Sequence, residues 1–352
     1  MRRLDLLVPH WKETPEEMEP LLDTIKAQRS VDLSQVGVVI AYDGPDAAPL
    51  PVGEWAERYP FAIEHVVTER KGGVSATRNA ALDASEAEYV MFADADDCLM
   101  DVRGLHIVFS EMDVDPDPQA VLMAGGDPSE AGKGFDFIFS DFMEETRDRD
   151  GNVKYMPHVG NMTFVHGQVA RRQWLVDNDL RFNESIQVHE DSYWVCLCRN
   201  VVKPWRGRVC PVPWFLWCWR DGSVCRSDPE YYILKTYPSM LRSNQALVEQ
   251  LIMRSLPERA AEMFVSMCLD SYYTMNKREW MDVGNQGFRD EVEGTFAMYF
   301  RKYRSLWDGM PMQQKTMISQ MVRQRSVLEG MLLEALTVDQ WLEAVLRKHP
   351  LE

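Results

Sequence analysis

The sequence lacks the features that most simply assign a chain to a class. None of its 7 cysteines forms a CxxC pair: Cys196 and Cys198 stand two apart, and Cys210, Cys218 and Cys225 lack zinc-ribbon spacing. This excludes a ribbon-type zinc module and points to reduced thiols. Long apolar runs are also missing. The first apolar stretch, Leu4 to Val8, is interrupted by Asp5 and closed by Pro9, too short for a signal peptide or a membrane span. A cytoplasmic protein is the expectation. Basic residues are few, 38 against 55 acids, and the net charge of −17 repels nucleic acid and anionic lipid. No Walker spacing, GxGxxG, internal repeat or low-complexity tract occurs.

The 352 residues are 45% hydrophobic, the fraction of an ordinary globular protein, and suffice for one large domain and an appendage. Over the first hundred residues short apolar strands alternate with helical stretches, the pattern of a parallel sheet with crossover helices. Leu4 to Val8, Val36 to Ala41 and Tyr89 to Ala93 read as strands. They end in His10 and Trp11, in Asp43 and Gly44, and in the run Asp94-Ala95-Asp96-Asp97. Ligands of open α/β sheets bind beyond the carboxyl ends of the strands, so these residues face one crevice. Three clustered carboxylates repel one another unless a cation neutralises them, and their hard oxygens suit Mg²⁺ or Mn²⁺ beside a phosphate. A solvated acidic turn is the other reading.

Thr14-Pro15-Glu16-Glu17 has capping-box spacing, but Pro20 removes a helical hydrogen bond, so the regular helix is expected from Glu19 to Gln28. Arg70-Lys71-Gly72-Gly73 reads as a loop opening a helix that continues to Ala84, whose first amides favour an anion. Arg78 on that helix suits a pyrophosphate or one of the acids.

Together with Pro9-His10-Trp11, Asp43-Gly44, the segment from Gly73 to Asn79 and the run from Glu88 to Asp97, two later pieces carry a family likeness. They are Arg171 through Arg181-Phe182-Asn183 to Glu190-Asp191, and Trp217 to Arg226. In this order, over about residues 4 to 226, they resemble a family 2 glycosyltransferase of the GT-A fold. The resemblance implies a Rossmann-like mixed α/β sheet with flanking helices in residues 1–227 and a C-terminal α-helical region in 228–352. It implies an inverting enzyme that moves a sugar from a nucleotide-diphosphate donor, a UDP-sugar, to a hydroxyl acceptor, a glycan such as a surface polysaccharide or another hydroxyl on a protein or small molecule. Pro9, His10, Trp11, Asp43, Gly73, Arg78, Asp94, Ala95, Arg220 and Ser223 then line the donor, with Asp43 at the base and Asp94 near the ribose. Asp96, with Asp94, holds Mn²⁺ or Mg²⁺. Asp191 is the general base, with Glu190 as its alternate.

The chemistry asks for the same parts. A nucleoside diphosphate leaves with negative charge that a cation stabilises, and the attacking hydroxyl needs one carboxylate to take its proton. Glu190-Asp191 also reads as a helix start, where acids are favourable in their own right. His166 reads as a buried, hydrogen-bonded histidine or as an acceptor or metal contact, and Trp219 as an acceptor contact or part of an aromatic core with Trp214, Phe215 and Trp217. Arg220 and Ser223, with Gly222 as hinge, suit a lid over the diphosphate.

Other classes fit less. A DxD phosphatase of the haloacid dehalogenase type has Thr or Val where Cys98 stands. A calcium loop needs glycine and glutamate where Leu99 and Leu105 stand. A catalytically silent sugar-nucleotide binder or assembly module remains the alternative. After Asp228 helical spacing predominates: Tyr231 to Leu256, divided or kinked at Pro238, Glu258 to Asn276, Phe288 to Trp307, and Val338 to Lys348 capped by Thr337 and Gln340. Met263, Met267, Met298, Met317 and Met321 read as core filler, with a homodimer surface on these helices as the alternative.

Overall fold

A computed structural model describes residues 2–148, 150–161, 163–220, 232–276, 280, 282–328 and 337–350. The chain divides into two compact units, Met1–Arg220 and Asp221–Glu352, and the boundary expected at residue 227 lies outside the described residues.

The first unit alternates strands and helices: β1 Leu4–His10, α1 Pro15–Lys26, β2 Val36–Tyr42, α2 Val52–Arg58, β3 Ala62–Val67, α3 Val74–Ala84 and β4 Tyr89–Phe92. Then come β5 Cys98–Leu99, α4 Gly104–Met112, α5 Pro118–Met123, β6 Phe137–Ser140, β7 Phe142–Arg147, β8 Val153–His158 and β9 Val169–Arg171. α6 Arg172–Asp177, α7 Glu190–Val201, β10 Gly207–Cys210 and β11 Phe215–Trp217 complete it. A mixed sheet of order β10-β6-β9-β4-β1-β2-β3 is parallel except at β9, which runs against β4 and β6. β1, β2 and β4 are buried on both faces, as covered parallel strands are, and their Val, Ile and Leu form the core with Trp55, Phe109 and Trp214. A second sheet, β5-β11-β7-β8, was not foreseen; β5 is two residues long and β8 is exposed over most of its length.

Two proline expectations need correction. α1 begins at Pro15, not Glu19, and ends at Lys26; the Thr14 amide donates to Glu17 Oε2 at 2.8 Å. Met18, Leu21, Leu22 and Ile25 are fully buried along one face. Four such side chains at about 1.5–3 kcal/mol each outweigh the roughly 3 kcal/mol of an internal proline. Gln28, beyond the helix, instead bonds the carbonyls of Thr24 and Asp101.

The second unit is helical among its described residues. α8 Tyr232–Met253 continues through Pro238, so of the division or kink expected there the division does not occur; Tyr237 beside it is buried and bonds Asp270 at 3.1 Å and Ser271 at 3.0 Å. α9 Pro257–Met275 follows, then Gln286–Lys302, Arg304–Gly309, Met312–Leu328 and Val338–Lys348. The helix expected from Phe288 to Trp307 breaks at Tyr303, whose backbone (φ −116°, ψ 18°) leaves the helical region. Thr337 and Gln340 form the expected capping box. Phe264, Phe296, Phe300 and Trp341 build the core. Met267 belongs to it, but Met298, Met317 and Met321 are more than half exposed, on outward helix faces, and are not filler. No helix among the described residues is long and apolar enough to cross a membrane.

Candidate active site

Register brings the first parts together. Pro9 and His10 pair with Ala41 and Tyr42, and Leu7 pairs with Phe92, so the residues after β1, β2 and β4 emerge on one sheet end. His10 is buried, its Nδ1 3.0 Å from Glu13 Oε2 and Nε2 2.7 Å from the Ala48 carbonyl. Burial alone would raise the Glu13 carboxyl; bonds from His10 and the Trp11 amide overcome it and hold the group at about 2. Lys71 Nζ lies 3.7 Å from the centre of the Trp11 ring.

The amides that open α3 do meet an anion, and it is the protein's own. Asp43 Oδ1 accepts from the Gly72 amide at 2.7 Å and the Gly73 amide at 3.0 Å, while Oδ2 has no partner among the described residues. Gly73 sits at φ 83°, ψ 178°, a region nearly restricted to glycine, with Gln187 Oε1 where a Cβ would project. Gly73→Ala is therefore expected to cost about 1–3 kcal/mol of unfolding free energy by urea denaturation and to weaken nucleotide binding; unchanged stability would show that the turn tolerates a side chain.

Each acid after β4 has a different partner. Asp94 Oδ1 accepts from Arg78 at 2.8 Å; burial raises its carboxyl, but the Arg78 charge prevails and the net shift is downward. Asp96 pairs with Arg220 at 3.1 Å, and Arg220 also reaches Glu17 at 3.2 Å. Burial and then Asp94 raise Asp96 against the pull of Arg220. Asp97 is fully buried: Oδ1 accepts from the Cys218 amide at 3.0 Å, and Oδ2 has no hydrogen bond but lies 3.6 Å from His166 Nδ1. Burial, then Asp94 and Asp96, push its carboxyl well above the usual range. Ligand atoms of Asp94, Asp97 and His166 lie within 4.8 Å of one another. These are hard oxygens and one imidazole, and a buried carboxylate oxygen without a hydrogen bond suits a divalent cation. Asp96, expected in that set, is held instead by a guanidinium. His166 is buried and stacks on Phe215 and Trp217, each at 5.5 Å.

The acceptor-side segment is stitched to α3. Ser75 Oγ donates to the Ile186 carbonyl at 3.1 Å, Asn79 Nδ2 donates to the Phe182 carbonyl at 3.0 Å, and Asn79 Oδ1 accepts the Phe182 amide at 3.0 Å. Arg78, 3% exposed, donates to Glu190 Oε1 at 2.8 Å while also holding Asp94. One side chain thus joins the strand-end acids to the first turn of α7. His189 caps that helix in the left-handed region, and burial pulls its imidazole down to about 4. Asp191 accepts the Ser192 amide at 2.7 Å. Burial, then Glu190, push its carboxyl up to about 7 against the opposing Arg78 and Ser192. Glu190 is committed to Arg78, whereas Asp191 is poised near neutral pH, as a general base requires.

Ala95 is buried between the acids. Trp219 lies against the β7 hairpin, its amide 3.5 Å from Glu145 Oε2 and Arg147 over its ring. Ser223 and Gly222 lie outside the described residues. Sequence reasoning missed Glu13, Glu17, Lys71 and Gln187 as parts of the site. Only Glu13, three residues after His10, carried a readable spacing.

Residues 5–128 match the family model "Glycosyl transferase family 2". No curated protein matches the sequence. Among solved structures, S. aureus TarS 1-349 in complex with UDP is similar at 14% identity and TM-score 0.59, over 96% of this chain and 95% of that one. The same protein with UDP-GlcNAc gives 15% identity and TM-score 0.52 over 92% of each chain. Against the longer TarS structure (13% identity, TM-score 0.55, 93% of this chain), the match spans 54% of the TarS chain. The family match begins in β1 and runs past the acids after β4, so residues 5–128 are similar to family 2 glycosyltransferases, within a GT-A fold.

Proposed function

We propose that the protein is a metal-dependent, inverting glycosyltransferase that uses a nucleoside-diphosphate sugar, with a UDP-sugar as donor. The observation that carries this reading is Arg78, whose two arms hold Asp94 and Glu190 and so set the donor acids beside the Asp191 carboxylate. Asp43 Oδ2 and the Trp11–Lys71 pair would face the nucleoside. Arg220 would meet the diphosphate as it leaves. Asp191 takes the proton of the acceptor hydroxyl while its oxygen bonds the anomeric carbon and the bond to the diphosphate breaks, inverting configuration. Asp94, Asp97 and His166 would hold the cation, with Asp96 as a further oxygen now neutralised by Arg220. When bound, the cation acts as a Lewis acid on the diphosphate. The acceptor is a hydroxyl of a glycan such as a surface polysaccharide, and the exposed methionines of the second unit are the surface for a homodimer.

TarS has been solved with UDP and with UDP-GlcNAc, which makes UDP-GlcNAc the first donor to test. A nucleotide-sugar thermal screen is expected to show stabilisation of about 2.7 kcal/mol at 100 times the dissociation constant of the true donor. By calorimetry, UDP affinity should be higher in Mn²⁺ than in EDTA. Asp94→Asn, Asp96→Asn, Asp97→Asn and His166→Ala should each cut that metal effect by at least about tenfold. Equal affinity of the parent protein in Mn²⁺ and EDTA would remove the cation from the mechanism. Retention of configuration in the product, read by NMR of the new anomeric proton, would reject single displacement.

A further inference from the structure

No cysteine spacing in the sequence suggests a pair, but the fold makes one. Cys98 lies on β5 opposite Leu216 of β11, and Cys218 directly follows β11. The two side chains hydrogen-bond each other, and Cys218 Sγ lies 3.7 Å from the Leu216 carbonyl oxygen. Neither is in a disulfide, and both are partly buried. Thiols in contact across neighbouring strands reach the disulfide bond length of about 2.05 Å by side-chain rotation and a small approach of the backbones. Cys196 and Cys198, far closer in sequence, project about 200° apart around α7 and cannot be bridged.

Both cysteines are tied to the acids after β4. Cys98 follows Asp97 in the chain, and the Cys218 amide donates to Asp97 Oδ1 at 3.0 Å. Asp96 stands two residues before Cys98 and Arg220 two residues after Cys218, and these two form the ion pair of 3.1 Å. A bond between the sulfurs would therefore close a small ring in which Asp96 and Arg220 face each other, each within about 7 Å of chain from the bridge. Held so, the guanidinium returns to Asp96 at high effective concentration whenever it leaves. A cation that needs the Asp96 oxygen, or a diphosphate that needs Arg220, must then compete with that pair.

We propose that Cys98 and Cys218 are a reversible thiol–disulfide site, oxidised by a low-molecular-weight disulfide, and that the bridge clamps Arg220 on Asp96 and weakens donor binding. The sulfur of one cysteine attacks the small disulfide and releases one small thiol; the other cysteine then attacks the mixed disulfide and releases the second. Two S–H bonds are lost, one S–S bond forms in the protein, and the electrons and protons leave on two thiols. The effect on the donor rests on the proposed roles of Asp96 and Arg220, whereas the bridge itself does not. The test treats the full chain with oxidised glutathione in metal-free buffer, removes the reagent, and maps disulfides by mass spectrometry of the digest. A cross-linked Cys98–Cys218 peptide that reductant separates is expected; its absence, or a bridge from Cys218 to Cys225 in its place, overturns the site. Hydrogen exchange of the segment from Trp217 to Arg220 should slow in the oxidised protein, and unchanged exchange overturns the clamp. UDP titrated by calorimetry in Mn²⁺ should bind the oxidised protein at least about fivefold more weakly than the reduced protein, with recovery on reduction. Cys98→Ser and Cys218→Ser should bind UDP as the reduced parent does and ignore oxidised glutathione. Sensitivity in either variant, or equal affinity of the oxidised and reduced parent, overturns the effect on the donor. A reduced parent that does not bind UDP refutes the donor reading, and the peptide map and hydrogen exchange still decide the bridge and the clamp.

Discussion

Asp191→Asn is expected to slow sugar transfer by roughly 10²- to 10⁴-fold, the usual contribution of a positioned base, while UDP affinity stays within about twofold. The amide is nearly isosteric, and the bonds that hold the segment from Phe182 to Glu190 come from Ser75, Arg78 and Asn79, not from Asp191. With its carboxyl at about 7, parent activity in kcat/KM should rise with pH through about 7 and level off above it. Stability moves the other way. The carboxyl titrates near 3.8 when unfolded and near 7 when folded, so between these values the native state keeps a proton that the unfolded chain has lost. Its stabilising contribution is complete below 3.8 and is lost as pH rises through about 7. Asp191→Asn should abolish this slope and melt above the parent at pH 8. Full activity in Asp191→Asn with loss in Glu190→Gln would move the base to Glu190.

The second large effect is expected at Arg78. Replacing it by methionine leaves Asp94 and Glu190 facing each other without a cation, and breaking such a buried pair costs about 3–5 kcal/mol in denaturant titrations. Arg78→Lys keeps the charge but not the two-armed fork, and should recover part of the stability with little of the activity. Arg78 also restrains the Asp191 carboxyl, so the acid limb of the pH–rate profile should move to higher pH in Arg78→Lys if the single ammonium binds Asp94 and leaves α7. A variant as stable as the parent with an unshifted profile would reduce Arg78 to packing against Phe182.

The strand ends were legible because each apolar run stops abruptly at polar residues, and Gly73 to Asn79 was legible as a helix start. Ion-pair partners were not. Arg78 is 112 residues from Glu190 in sequence, and Arg220 is 124 from Asp96, distances over which no periodicity speaks. The amides of Gly72 and Gly73 invited an outside anion, and nothing in the sequence said that Asp43, 29 residues earlier, already fills that role. Pro20 misled because local propensity was weighed without the buried face that outweighs it, and Pro238 does not divide its helix. The β7–β8 hairpin escaped notice because exposed strands carry no clean alternation.

The reversed direction of β9 has an evolutionary corollary. Parallel strands deliver their last residues to the cleft, but a strand running the other way delivers what precedes it, which is how His166, three residues before Val169, meets Asp97. A change in the length of the loop between β8 and β9 would therefore act on the position of His166, a residue of the proposed cation site, and not on the strands that carry the acids. If the proposed cation site is filled, its metal preference could change through that loop independently of the strand-borne acids, and loop-swap chimeras are expected to shift the Mn²⁺ dependence of UDP binding without a change in fold.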